Sequence, residues 1–276
     1  MRCLTWALAI QVCVATAWSQ TQRPAPSYTA DSIVNLASGE RGYLAPNTLA
    51  AICGKYLAPY SRTRLDSDLQ GNYLPFQLPG SGVTVKVSGL LAPVEYISPE
   101  VVTFLVPSEL RPGPVTVVLT YNGLNGPTVR LQLAAAAPAW FQHDTGWALA
   151  RHRESMEWVD ETNPTRAGEP VILYLGGLGD TQPVLPYREF PRDPVPLAVL
   201  PRLSFDGIVV EESRILYVGL TPNFPGVYEV DVVLPQTLAR DPALRLEVPG
   251  GSTAAGTRLR FEPTPQPVTA PVRSTR

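Results

Sequence analysis

Val115-Thr116-Val117-Val118-Leu119-Thr120-Tyr121, then Asn122-Gly123, then Val129-Arg130-Leu131-Gln132-Leu133 is the stretch that decides the fold. Asn-Gly suits positive φ at both central positions of a tight turn. The returning segment alternates apolar and polar side chains, the period of a pleated strand with one buried face. The stretch therefore predicts a β-hairpin. Upstream, Val83-Thr84-Val85-Lys86-Val87 alternates cleanly and stops at Ser88-Gly89. Short apolar runs at 94–97 and 101–106 lie between, separated by Ser98-Pro99. Thirty prolines in 276 residues rule out long helices across most of the chain, because proline lacks the amide donor and clashes with the preceding turn.

A second series of the same kind begins near Pro138-Ala139-Trp140-Phe141. It runs through strands read at 171–175, 203–210, 215–218 and 227–234, and closes with 244–248 and 257–261. Residues of the two series match in order. Val94-Glu95-Tyr96-Ile97 corresponds to Ile215-Leu216-Tyr217-Val218, the segment 104–110 to 232–238, and 129–133 to Thr257-Arg258-Leu259-Arg260-Phe261. Such ordered matches imply a duplicated module of about a hundred residues, the size of an immunoglobulin-like sandwich. The fold expectation is all-β, with two tandem immunoglobulin-like β-sandwich domains at 29–135 and 136–262. The segment 147–161 has helical propensity, yet its surroundings favour a strand hairpin.

Residues 1–19 have the build of a signal peptide: Arg2, an apolar run from Leu4 to Val14, then Ala17 and Ser19 placed for cleavage before Gln20. The run is too short to span a bilayer, and Ile10-Gln11-Val12 before Cys13 is no lipobox. An extended leader at 20–28 and a proline-rich tail at 263–276 flank the two domains. Export to the cell envelope, periplasm or extracellular space is expected, with no transmembrane span in the mature chain. Cleavage removes Cys3 and Cys13 and leaves Cys53 without an internal partner, and its apolar run 49–53 predicts a buried, inert thiol. The formal charge of −2 becomes −3 on losing Arg2, with no basic block, which argues against nucleic acid as a partner.

The chain resembles an uncharacterised secreted family, abundant in soil-dwelling diderm bacteria, built from paired IPT/TIG-like immunoglobulin modules. In the first half the resemblance rests on Ser32-Ile33-Val34-Asn35, on 49–54, on Val83 to Gly89 and on Ala92 to Pro107. In the second it rests on Pro138-Ala139-Trp140-Phe141, Asn163-Pro164, Tyr174-Leu175-Gly176-Gly177-Leu178-Gly179, Gly219-Leu220 and 226–232. The resemblance implies an accessory or surface role without chemistry. Thr103, Glu229 and Asp231 stand where it implies asparagine, glutamine and asparagine.

Candidate chemistry is sparse. The two histidines, His143 and His152, have no nucleophile elbow nearby, and they read as a solvated pair. Asp66-Ser67-Asp68-Leu69-Gln70-Gly71 opens like a calcium loop, but Gln77 occupies the place of the bidentate glutamate. Gly176-Gly177-Leu178-Gly179-Asp180 follows a strand but precedes prolines, so no helix can present amides to a phosphate. No cofactor is expected. The remaining candidates are Trp140, Trp147 and Trp158, which could stack on sugar rings with Tyr174 or Tyr187 if exposed on one face, or else pack the core. The expected function is a non-catalytic structural, adhesion or interaction module with an unknown protein partner, or alternatively a polysaccharide-binding module using the 140–158 segment.

Overall fold

The computed structural model describes residues 23–263. The expected signal peptide, the first three residues of the leader and the tail after residue 263 lie outside the described residues. The chain is all-β, with an immunoglobulin-like sandwich architecture. The deciding hairpin forms as read: Val129–Leu133 pairs antiparallel with the first half of Gly113–Tyr121. Asn122 and Gly123 turn the chain at φ 47° and 79°, and Leu124–Asn125 returns against Tyr121 and Thr120. Val115, Val117, Leu119 and Tyr121 point inward, as alternation requires.

In residues 33–133 one sheet has the spatial order Ile33–Asn35, Leu49–Cys53, Val101–Leu105, Val94–Ile97, Arg62–Thr63. The other runs Val129–Leu133, Gly113–Tyr121, Val83–Val87, Leu90–Ala92. Ile33, Ile52, Val85, Phe104 and Val117 fill one apolar cluster with the side chains around them. Residues 139–252 repeat the first order as Ala139–Trp140, Pro170–Gly176, Tyr228–Val233, Ile215–Leu220, Val195–Pro196. They also place Ile208–Val209, Arg202–Phe205, Leu244–Val248 and Gly251–Ser252 in a separate sheet, and a second cluster gathers around Trp140, Leu173, Phe205, Tyr228 and Phe261. Even a local irregularity recurs. The register slips between Val94 and Tyr96 against Phe104 and Thr103, and between Ile215 and Tyr217 against Val232 and Asp231.

Three sequence expectations are corrected. The run 203–210 is not one strand: Asp206-Gly207, at φ 49° and 81°, folds it into a hairpin, as Ser88-Gly89 does at the equivalent place in the first half. Segment 257–261 buries Leu259 and Phe261 but makes only isolated bridges, since Pro242 beside it has no amide to continue the ladder. Cys53 is exposed. Its strand alternates, so Ile52 faces the core and Cys53 the other way, beyond the cover that hides Leu49 and Ala51. The 147–161 segment contains strands and no helix, as expected. Trp147–Ala148 pairs with Gln142–Asp144, and Ala150–His152 with Val171–Leu173. The end of the leader belongs to the fold, because Ser27 bridges Lys55 and buried Tyr28 accepts a hydrogen bond from the Leu119 amide at 2.7 Å.

The two halves meet along a tight seam. Leu49, Leu74, Leu105 and Phe190 form a small shared cluster against which Phe141 and Val227 pack. Across it the Leu74 amide donates to the Arg188 carbonyl at 2.8 Å, and the Phe190 amide to Asn72 at 2.9 Å. Tyr187 donates to the Leu91 carbonyl. The connecting residues Ala136 and Ala137 are themselves buried. Buried Asn35 donates to the Ala137 carbonyl at 3.3 Å, and the Ala137 amide donates to Gly177 at 2.9 Å. A side chain at Gly177 would collide with that Ala137 carbonyl, which is why the strand-ending turn carries glycine.

Candidate aromatic groove

The three tryptophans do not share a face. Trp140 is a core residue, 2% exposed. Trp147 is half-buried beneath the Arg260 guanidinium, 3.5 Å from the ring centroid. Trp158 is 46% exposed and lines an open groove of about 320 Å³ with Phe141, Leu149, Arg151, Tyr174, Phe224 and Val227.

Strand alternation builds the groove floor. In Pro170–Gly176, Val171, Leu173 and Leu175 point into the core, so Ile172 and Tyr174 take the opposite face. The Phe141 amide donates to the Tyr174 carbonyl at 3.0 Å, the Tyr174 amide to Leu149 at 3.1 Å, and the Leu149 amide to Phe141 at 2.7 Å. These bonds hold three groove residues on one rigid backbone patch. After the turn at Met156, Trp158 bridges back to Arg151. Its ring lies 6.0 Å from Tyr174 at 60°, with the Arg151 guanidinium 3.8 Å from its centroid. The far wall is the loop 221–227, pinched by bonds from the Phe224 amide to Thr221 and from the Thr221 amide to Val227. Phe224, between Asn223 and Pro225, is held 59% exposed at its tip. Phe141, Leu149, Arg151 and Phe224 were not singled out from sequence. Phe224 carried a signal, since an aromatic residue flanked by turn-forming residues on both sides has no strand to bury it.

Beside the groove the same sheet face bears two carboxylates. Glu229 lies opposite Tyr174 and Asp231 opposite Ile172. Burial, and then the charge of Asp231, push the Glu229 carboxyl up to about 7. Burial also raises Asp231, opposed by Arg153, whose Nε donates to its Oδ2 at 2.7 Å. Burial raises the Tyr174 hydroxyl as well.

The other candidates are occupied by ordinary structural contacts. Asp68 pairs with Arg62 at 2.6 Å and Asp66 with Arg64 at 3.3 Å, so the calcium-like loop turns its carboxylates to arginines. Among the described residues no cluster of three or more metal-ligating side chains forms. His143 is exposed, whereas His152 is not the solvated residue expected: strand pairing holds it half-buried against Glu169, with Nε2 3.2 Å from the Asn163 carbonyl. No helix follows the 176–180 glycines. Among the described residues, no helix is long and apolar enough to cross a membrane.

No family model matches the chain, and no curated protein matches it. Among solved structures it is similar to the surface glycan-binding protein PbSGBP-B from Prevotella bryantii, at 13% identity over 86% of this chain and 42% of that one, TM-score 0.27. It is also similar to the SGBP-B of the Bacteroides ovatus mixed-linkage glucan utilization locus, solved in complex with a mixed-linkage heptasaccharide, at 10% identity over 81% and 43%, TM-score 0.31. A third similar structure is a titin immunoglobulin tandem, at 10% identity over 88% and 96%, TM-score 0.20. The chain spans less than half the length of the two glycan-binding proteins.

Proposed function

We propose that this chain is an exported, non-catalytic protein of two β-sandwich modules that binds polysaccharide through the groove around Trp158. One observation carries the reading: Trp158 stands half exposed beside Tyr174, Phe141 and Phe224 in an open trough, on a rigid sheet patch. The apolar faces of sugar rings stack on such side chains, and the Arg151 guanidinium supplies donors for their hydroxyls. The walls are largely apolar, which suits stacking on sugar-ring faces, and Asp231 beside the groove is engaged with Arg153. The equal sheet order and equal register slip of the two halves support duplication of one module. The signal-peptide pattern at 1–19 supports export.

Migration of the protein through native gels containing mixed-linkage glucan, xyloglucan, galactomannan or arabinoxylan tests the reading. At least one polymer is expected to retard the wild type, and Trp158→Ala to weaken that retardation at least about tenfold, the scale of a central aromatic anchor. The thermal midpoint should move by less than about 3 °C, because the ring is half in solvent. Retardation by none of the polymers, or full retardation of the variant, refutes the groove.

A further inference from the structure

We infer that the aromatic groove is one end of a longer glycan track, and that the polar cleft on the seam between the two halves is a second subsite for the same chain. This rests on the reading of the groove just given. The cleft, about 640 Å³, is lined by Asn72, Leu185, Glu189, Pro191, Arg192 and Asp193 among others. A narrow crevice adjoins the cleft: Leu185, Glu189 and Pro191 line both, and it reaches Pro225 and Gly226, the chain neighbours of groove residues Phe224 and Val227. The 221–227 loop thus walls the groove and is tied to the cleft, because its Asn223 amide is bonded to the carbonyl of the cleft residue Pro191 at 2.6 Å.

The chemistry of the two ends is complementary. The groove offers ring faces and one guanidinium, whereas the cleft offers amide, carboxylate and guanidinium groups. Arg192 Nε donates to Asn72 Oδ1 at 2.8 Å, and Asn72 Nδ2 donates to Glu189 Oε1 at 3.1 Å, so the network is pre-oriented. The two terminal NH2 groups of Arg192 stand outside that bond, and exposed Asp193 adds an acceptor. Planar donors beside carboxylate acceptors recognise vicinal hydroxyls of a neutral sugar. A stacking end and a hydroxyl-reading end linked by one loop suit a chain of several sugars, not a monosaccharide.

The test is calorimetric titration of the full chain with cello-, xylo- and manno-oligosaccharides of two and six sugars. The hexasaccharide of one series is expected to bind at least about tenfold more tightly than its disaccharide. Arg192→Ala should remove most of that gain, and Trp158→Ala should weaken binding of both lengths. Because Arg192 also helps hold the seam, Asp193→Ala is the control: exposed, it should reduce hexasaccharide affinity with no change in thermal midpoint. Equal affinities for two and six sugars, or a length gain that survives in both cleft variants, overturn the second subsite while the groove stands if Trp158→Ala still weakens binding. Failure of the wild type to bind any of these probes overturns both.

Discussion

Glu229→Gln isolates the energetic consequence of placing a carboxylate on the outer face of a largely buried strand. The carboxyl keeps its proton up to about 7 in the folded chain, against an ordinary value of 4.5. Between those two pH values the unfolded chain gives up the proton and the folded chain does not, so the folded state binds more protons and stability falls as pH rises. The penalty is absent below about 4.5 and complete above about 7. At about 1.4 kcal/mol for each tenfold change in proton affinity, it is bounded at roughly 3 kcal/mol. The side chain is only half-buried, so solvent screening reduces that to about 1–2 kcal/mol. For a chain of this size that is about 3–6 °C in thermal midpoint. Wild type and Glu229→Gln should therefore melt at similar temperatures at pH 4 and diverge through the window, with the variant the more stable at pH 8. Thermal melts in steps of half a pH unit read this directly. Parallel curves from pH 4 to 8 would refute the placement of Glu229 and the part played by Asp231.

The seam and the surface thiol give two further tests. Phe190→Ala should cost about 3–5 kcal/mol, because the ring is 1% exposed among Leu49, Leu74 and Leu105, and calorimetry should then resolve two unfolding transitions in place of one. A loss under about 1 kcal/mol would contradict the packing. Without denaturant, Cys53→Ser should lower the thiols titrated by Ellman's reagent by one, since Cys53 is exposed; an unchanged count would contradict its outward placement.

Much of the fold was legible because turns leave chemical traces. Asn122-Gly123 and the alternation of Val129 to Leu133 specify a hairpin with no tertiary information. Asp206-Gly207 carried the same trace and was overlooked inside an apolar run, where Ile208 and Val209 looked buried but form an exposed edge, 62% and 43% accessible. Cys53 could not be read, because an apolar run does not say where the cover on its second face ends. The groove was half legible. Tryptophan content pointed at segment 140–158, but which indole is exposed depends on sheet pairing that draws together Phe141, Tyr174 and Phe224 from three separate segments. Arg151 and Arg260 each lie against an indole, contacts that no spacing rule encodes.

The buried passage at Ala136 and Ala137 has a mechanical consequence. Backbone that is buried and bonded on both sides has no slack: here it is held by Asn35 on one side and Gly177 on the other. A bulkier side chain at Ala137 would therefore have to displace both partners at once, and the two flanking segments would shift together.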